Sequence, residues 1–160
     1  MTEHHVAMIE RHILDRAHRS LERALSRIET TAEVAGTLEA SGLAGVVRSL
    51  LDELTKTLRT HMEWEEQVCY PETDRLAATS WATRFLLVQH EQIRASIAVL
   101  EADCAVLRSD PARRHVADLR AHLYALHAVL SSHLEQEERA LLTLLIGEPS
   151  AAPERVTPQP

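Results

Sequence analysis

The sequence predicts an all-α fold, an up-down-up-down four-helix bundle, on three observations. Glycine occurs only four times and aromatic residues make up 3% of the 160-residue chain, which leaves little material for a sheet. Apolar residues recur at alternating steps of four and three along four long stretches. Between these stretches lie short, breaker-rich segments, and short connections make successive helices antiparallel neighbours. The length suits one domain with a sizeable core. Residues 1–147 are assigned to the bundle and 148–160 to a flexible tail.

The first helix is expected over roughly 4–34, with Leu14, His18, Leu21, Leu25 and Ile28 on one face. The second, over roughly 43–69, follows Ala40-Ser41-Gly42 and repeats Val47, Leu50, Leu54, Leu58, His61, Glu65 and Val68, with Pro71 marking its end. The third, over roughly 80–108, runs through Leu86, His90, Ile93, Ile97, Leu100, Cys104 and Leu107, with Thr79 or Ser80 as its cap. The fourth starts after Asp110, with Pro111 in its first turn, and repeats Leu119, Leu123, Leu126, Leu130, His133, Glu137, Leu141 and Leu144 before Gly147 and Pro149. The proline-rich segment 151–160 reads as a loose tail.

Charge and motif content exclude several function classes. The formal net charge is −7, the cations are almost all Arg, and no dense basic stripe for nucleic acid is present. No apolar run approaches the roughly 20 residues of a membrane span. Met1-Thr2-Glu3-His4-His5 lacks the pattern of a signal peptide, so a cytoplasmic location and no membrane partner are expected. Cys69 and Cys104 form no Cys-x-x-Cys pair and read as reduced core thiols.

The seams are polar at six places. His18, His61, Glu65, His90, His133 and Glu137 all fall where the period otherwise places Leu, Ile or Val. An unpaired buried polar group costs on the order of 2–7 kcal/mol, so six of them need a common partner. Two copies of His-x-x-x-Glu, at 61–65 and 133–137, each set an imidazole and a carboxylate about 40° apart on one helix face. Counting outward from turns near residues 40, 75 and 110 brings all six to one level, the worst mismatch being roughly 4.5 Å at 1.5 Å per residue. Imidazole and carboxylate donors without a thiolate cluster suit a metal such as iron, and argue against structural zinc or an iron-sulfur cluster. Haem would give the two Glu no task.

The pattern resembles the hemerythrin-like, or HHE cation-binding, family. The resemblance rests on Ala17-His18-Arg19-Ser20-Leu21, on His61-Met62-Glu63-Trp64-Glu65-Glu66 followed by Tyr70-Pro71, on His90-Glu91-Gln92-Ile93-Arg94, and on His133-Leu134-Glu135-Gln136-Glu137-Glu138, and it covers roughly residues 5–146. It implies a four-helix bundle around two non-haem iron ions, with one His each from the first and third helices and a His-x-x-x-Glu from each of the others. Glu65 and Glu137 would bridge the ions, His18, His61, His90 and His133 would supply terminal nitrogens, and a bridging oxo or hydroxo group would leave a position for dioxygen, peroxide or nitric oxide. The chain departs from the oxygen carriers of the family in two places. Leu86 and Arg94 stand where a second third-helix His would lie, and Glu137 comes four residues after His133 where the carriers place an Asp five after. The expected function is binding of dioxygen or a related small ligand, with a di-iron oxidase or catalase-like enzyme and an iron- or oxygen-sensing module as alternatives. A protein partner is not specified.

Other candidates have blander readings. His12 lies about six residues, roughly 9 Å, from His18 and is expected in solvent. Tyr70 is a packing residue unless an irregular last turn swings its phenol inward. Glu66 and Glu138 point about 100° away from the proposed ligands, as partners of those ligands or as surface acids. Trp64 is read as packing, and His4, His5, His115, His122 and His127 as terminal or rim histidines.

Overall fold

The computed structural model describes the backbone of residues 3–79, 81, 83–110 and 112–145, and the side chains of those between 18 and 140. Helix α1 spans Glu3–Val34 and α2 Ala40–Trp64. A π turn over Glu65–Cys69 joins α2 without a break to the short α3, Tyr70–Leu76; α4 spans Arg84–Ser109 and α5 Arg113–Leu145. Helix α1 packs between α2 and α5, and α4 packs between the same two from the other side, so α1 and α4 lie diagonally across an up-down-up-down bundle. No strand occurs among the described residues, and no helix among them is long and apolar enough to cross a membrane.

The seams predict the core. Leu21 and Ile28 of α1, Leu50, Leu54 and Leu58 of α2, Ile93, Leu100 and Leu107 of α4, and Leu119, Leu123, Leu126 and Leu130 of α5 are all buried in one cluster. Burying one such side chain contributes roughly 1.5–3 kcal/mol, so this cluster carries the stability of the bundle. Leu14, Leu141 and Leu144, the Ser80 cap, Pro111 and the 148–160 tail lie outside the described side chains or residues.

Three boundaries differ from expectation. Helix α2 starts at Ala40 rather than 43, because Ala40-Ser41-Gly42 serve as its first turn, and Leu43 N–H already bonds Glu39 O at 2.9 Å. The helix does not end at Pro71, since the wider π turn just before it accommodates the ring that an α turn would reject. Helix α4 starts at Arg84 rather than 80, and its N-cap is Thr83, not Thr79 or Ser80. Thr83 is held in place because its N–H and Oγ1 both donate to Asp74 Oδ1, at 3.2 and 3.1 Å. The stop of α3 is a Schellman motif, with Ala78 N–H bonding Arg75 O and Thr79 N–H bonding Asp74 O. Its left-handed position, at φ 50°, is filled by Ala78 instead of the usual glycine.

Candidate metal centre

Each long helix brings its polar seam residues to one level, just beyond the leucine core. Helix α1 supplies His18 and α4 supplies His90, while α5 supplies His133 and Glu137 one turn apart. His61 closes α2, and Glu65 opens the π turn on the same face. The extra residue in that turn shifts the phase of the helix beyond it. Tyr70 N–H bonds Glu65 O, five residues back, so Tyr70 rather than Val68 comes round to the interior. Tyr70 is buried and Val68, expected on the seam, is 44% exposed.

The six side chains form two overlapping groups. One donor atom from each of His18, His61, Glu65 and Glu137 lies within 4.8 Å of the others, and the same holds for Glu65, His90 and His133. Glu65 belongs to both groups, with Oε1 2.6 Å from His61 Nε2 and Oε2 3.2 Å from His90 Nε2. Glu137 Oε2 lies 3.2 Å from His18 Nε2, 3.6 Å from His133 Nε2 and 4.0 Å from His61 Nε2. The imidazoles fall into two pairs, His18 with His61 at a centroid spacing of 5.4 Å and His90 with His133 at 4.7 Å. Both carboxylates reach from one pair to the other.

Hydrogen bonds on the far side of two rings fix their tautomers. His90 Nδ1–H donates to Glu66 Oε1 at 2.7 Å, and Arg94 clamps the same oxygen at 2.6 Å while also holding Glu91. His133 Nδ1–H donates to Gln89 Oε1 at 3.4 Å; Gln89 donates to Gln136, which donates to Ser132 Oγ. In both rings the Nε2 lone pair is thereby aimed into the layer, the arrangement that a metal-binding imidazole requires. Tyr70 O–H donates to His90 Nε2 at 3.2 Å, which sets the phenol oxygen on the inner side of that ring.

The layer is poorly satisfied by protein groups alone. Among the described residues, five buried side-chain atoms find no hydrogen-bond partner: His61 Nε2, both oxygens of Glu65, His133 Nε2 and Glu137 Oε1. The close His61–Glu65 approach does not have the angle of a hydrogen bond. Each such group costs on the order of 1–3 kcal/mol. Burial, with the charge of Glu137, pushes Glu65 up to about 9, against the favourable influence of the neighbouring His90 ring. Burial acts the same way on Glu137, yet its contacts with His18 and Glu65 and the neighbouring imidazoles outweigh it and hold this carboxyl below its usual range. The two acids therefore share about one proton at neutral pH. Burial lowers His61 and takes His133 down to about 4, keeping both rings neutral and able to donate a lone pair. Burial, with the charges of Glu137 and Glu65, pushes the Tyr70 phenol far above its usual value. A cation seated among these atoms would pair every one of them, and nitrogen and carboxylate donors without sulfur fit iron, manganese or zinc.

The family model of the hemerythrin HHE cation-binding domain matches residues 10–145. The chain belongs to this family. No curated protein and no solved structure matches it.

All six residues that the sequence singles out meet in this layer of the hemerythrin domain, joined by Tyr70 through the π turn. Glu66 is a partner of His90, and burial is outweighed there by hydrogen bonds from Arg94 and His90 that hold its carboxyl below the usual range. Glu138 is exposed, so Glu137 is the carboxylate that α5 presents inward. His12 lies outside the described side chains, as do His4 and His5. His115, His122 and His127 are half-buried rim residues, with His122 bonded to Asp103 at 2.6 Å. Trp64 is half-buried; Cys104 is a core thiol, whereas Cys69 is only half-buried and not in the core. The chain Gln89–Gln136–Ser132 and the clamp by Arg94 are not foreseen from the sequence, although Gln89 neighbours His90 and Gln136 neighbours Glu137 on the seams. His18 is the most exposed member of the layer, its side chain 15% exposed, and it lines an open recess of about 240 Å³ between α1 and α5 with Glu22, Ser131, Glu135 and Glu138.

Proposed function

We propose that the chain holds two non-haem iron ions and binds dioxygen or a related small ligand such as nitric oxide or peroxide. The observation that carries this reading is the set of five buried donor atoms without a hydrogen bond, all in one layer and shared between two groups that have Glu65 in common. His18 and His61 would serve one ion and His90 and His133 the other, with Glu65 and Glu137 reaching both. Iron in such a site supplies reversible one-electron chemistry and an affinity for small diatomic molecules. The protein's part is to keep the rings neutral, aim their Nε2 atoms through Glu66 and Gln89, balance the cationic charge with two carboxylates, and exclude bulk water with the leucine core. The recess beside His18 gives small solutes a way to the edge of the layer.

The recess also favours a second reading, turnover of peroxide or ferrous iron at the same residues, because a turning-over site needs access for successive substrates. Metal content per chain and the absorption spectrum of aerobically purified protein test the first claim, with about two irons per chain expected. Loss of iron from Glu65→Ala and Glu137→Ala, but not from His12→Ala, supports the bridging assignment; full loading in both Glu variants would overturn it. Multiple turnovers of peroxide or ferrous iron by the loaded protein would establish the enzyme, and stoichiometric ligand binding without turnover the binding protein.

A further inference from the structure

Helix α4 is apolar on two opposite faces. Its inner face, from Leu86 to Leu107, fills the bundle core. A second stripe starts at Trp81, in the turn ahead of the helix, and ends at Val106, advancing by alternating steps of four and three through Phe85, Val88, Val99 and two alanines, with Gln92 its one polar side chain. Every position of the stripe is exposed, Trp81 by 69%, Phe85 by 53% and Val88 by 51%. At 100° per residue the stripe lies roughly 150° from the core-facing one, so it points away from the other described helices, with Arg84 of α4 itself stacked over the Trp81 ring. The exposed faces of α2 and α5 look different, carrying Arg48, Asp52 and Arg59 on one and Arg114, Asp118 and Glu135 on the other.

A heptad seam of this kind is what one helix presents to another in a coiled coil. We infer that α4 pairs with α4 of a second copy of this chain, antiparallel across a two-fold axis between Ile93 and Arg94. In that register residue numbers facing each other across the interface add up to one constant. Trp81 then meets Val106, Phe85 meets Ala102, Val88 meets Val99 and Gln92 meets Ala95, so large side chains at one end of the helix lie against smaller ones at the other. The pairing is self-complementary, as an isologous interface must be. Trp81, Phe85, Val88, Val99 and Val106 leave on the order of 500 Å² of apolar surface in water, more than a monomer ordinarily tolerates in one patch. With its flanking side chains the stripe, about 38 Å long, covers roughly 800 Å² on each copy, the area of a standard stable interface.

Analytical ultracentrifugation of the full chain across a concentration series tests the pairing. Val88→Glu and Val99→Lys each place a charge on the seam at exposed positions, where helicity and melting of the bundle report that the fold is intact. The wild type is expected to be a dimer, and each single variant to raise the dissociation constant by at least about 100-fold. The double variant, in which each new acid faces a new base of the other copy, recovers at least about tenfold of that loss. A wild-type monomer at every concentration, or single variants that dimerise unchanged, overturns the inference. Absence of rescue in the double variant overturns the antiparallel register.

Discussion

The interior of this bundle has two regions built on the same helices by opposite rules. From Leu21 to Ala35 on α1, and at the matching levels of the other three helices, the buried positions are apolar except Thr31, whose hydroxyl is satisfied by Arg27 O. At the level of His18, two acids and four imidazoles occupy the same kind of position, and five of their atoms have no hydrogen bond to any described residue. The first region pays for the second. The contrast teaches that helix pattern and leucine packing fix the position of the donors, while the donors themselves subtract from the stability of the metal-free chain.

Five experiments break or sharpen that contrast. Leu123→Ala, in the fully buried core, is expected to destabilise by about 3 kcal/mol in denaturant unfolding while leaving metal stoichiometry per folded chain unchanged. Replacing both acids, Glu65→Leu with Glu137→Leu, should act the other way on each count: metal content falls to the background of the preparation and the metal-free chain gains about 1–4 kcal/mol. A loss of stability in this double variant would show that the acids support the fold in their own right.

The third experiment is the pH dependence of stability of the chelated protein. His133 is neutral in the fold down to about 4, whereas the unfolded chain takes up that proton from 6.5, so this group removes stability as pH falls between those values. Glu65 keeps its proton in the fold up to about 9, whereas the unfolded chain releases it near 4.5, so this group removes stability as pH rises between those values. The two slopes cancel between 4.5 and 6.5, and unfolding free energy should then fall by on the order of 3 kcal/mol toward pH 9. A metal bound at Glu65 would take the place of its proton, so the loaded protein should lack the alkaline fall. The same fall in loaded protein would contradict binding at Glu65.

The fourth is Glu66→Gln. The amide keeps the size of the side chain but not the charge that supports His90 and pairs with Arg94, and metal affinity should drop by about tenfold at unchanged stoichiometry. The smallest effect is expected far from the layer. Ala78→Gly relieves the left-handed strain of the α3 stop and should raise the melting temperature slightly, for a gain of about 0.5–1 kcal/mol, with no change in metal binding.

Much of this was legible in the residues. The fold followed from periodicity because a bundle core is local in sequence, one face per helix, and the six polar interruptions were visible against it. The π turn was not, since Glu66-Gln67-Val68-Cys69 continues the α period, with Val68 in phase, and no residue type marks an i→i−5 bond. Pro71 was the one hint and reads more naturally as a stop. The start of α4 was displaced because Thr83 is fixed by Asp74 on the preceding helix, a tertiary contact that no local signal announces. Likewise the Gln89–Gln136 link depends on the depth at which α4 and α5 meet, to within a single turn.

The π turn has one more consequence. A single-codon insertion in a helix ordinarily rotates everything beyond it out of place, yet here the extra residue is absorbed within five positions, and the helix goes on to dock through Thr73 and Asp74. A long helix can thus serve two masters, keeping one phase for the core before Glu65 and another for the phenol after it. Gain or loss of one residue offers this scaffold a discrete step by which the surroundings of its donors can change while the four helices that carry the layer keep their places.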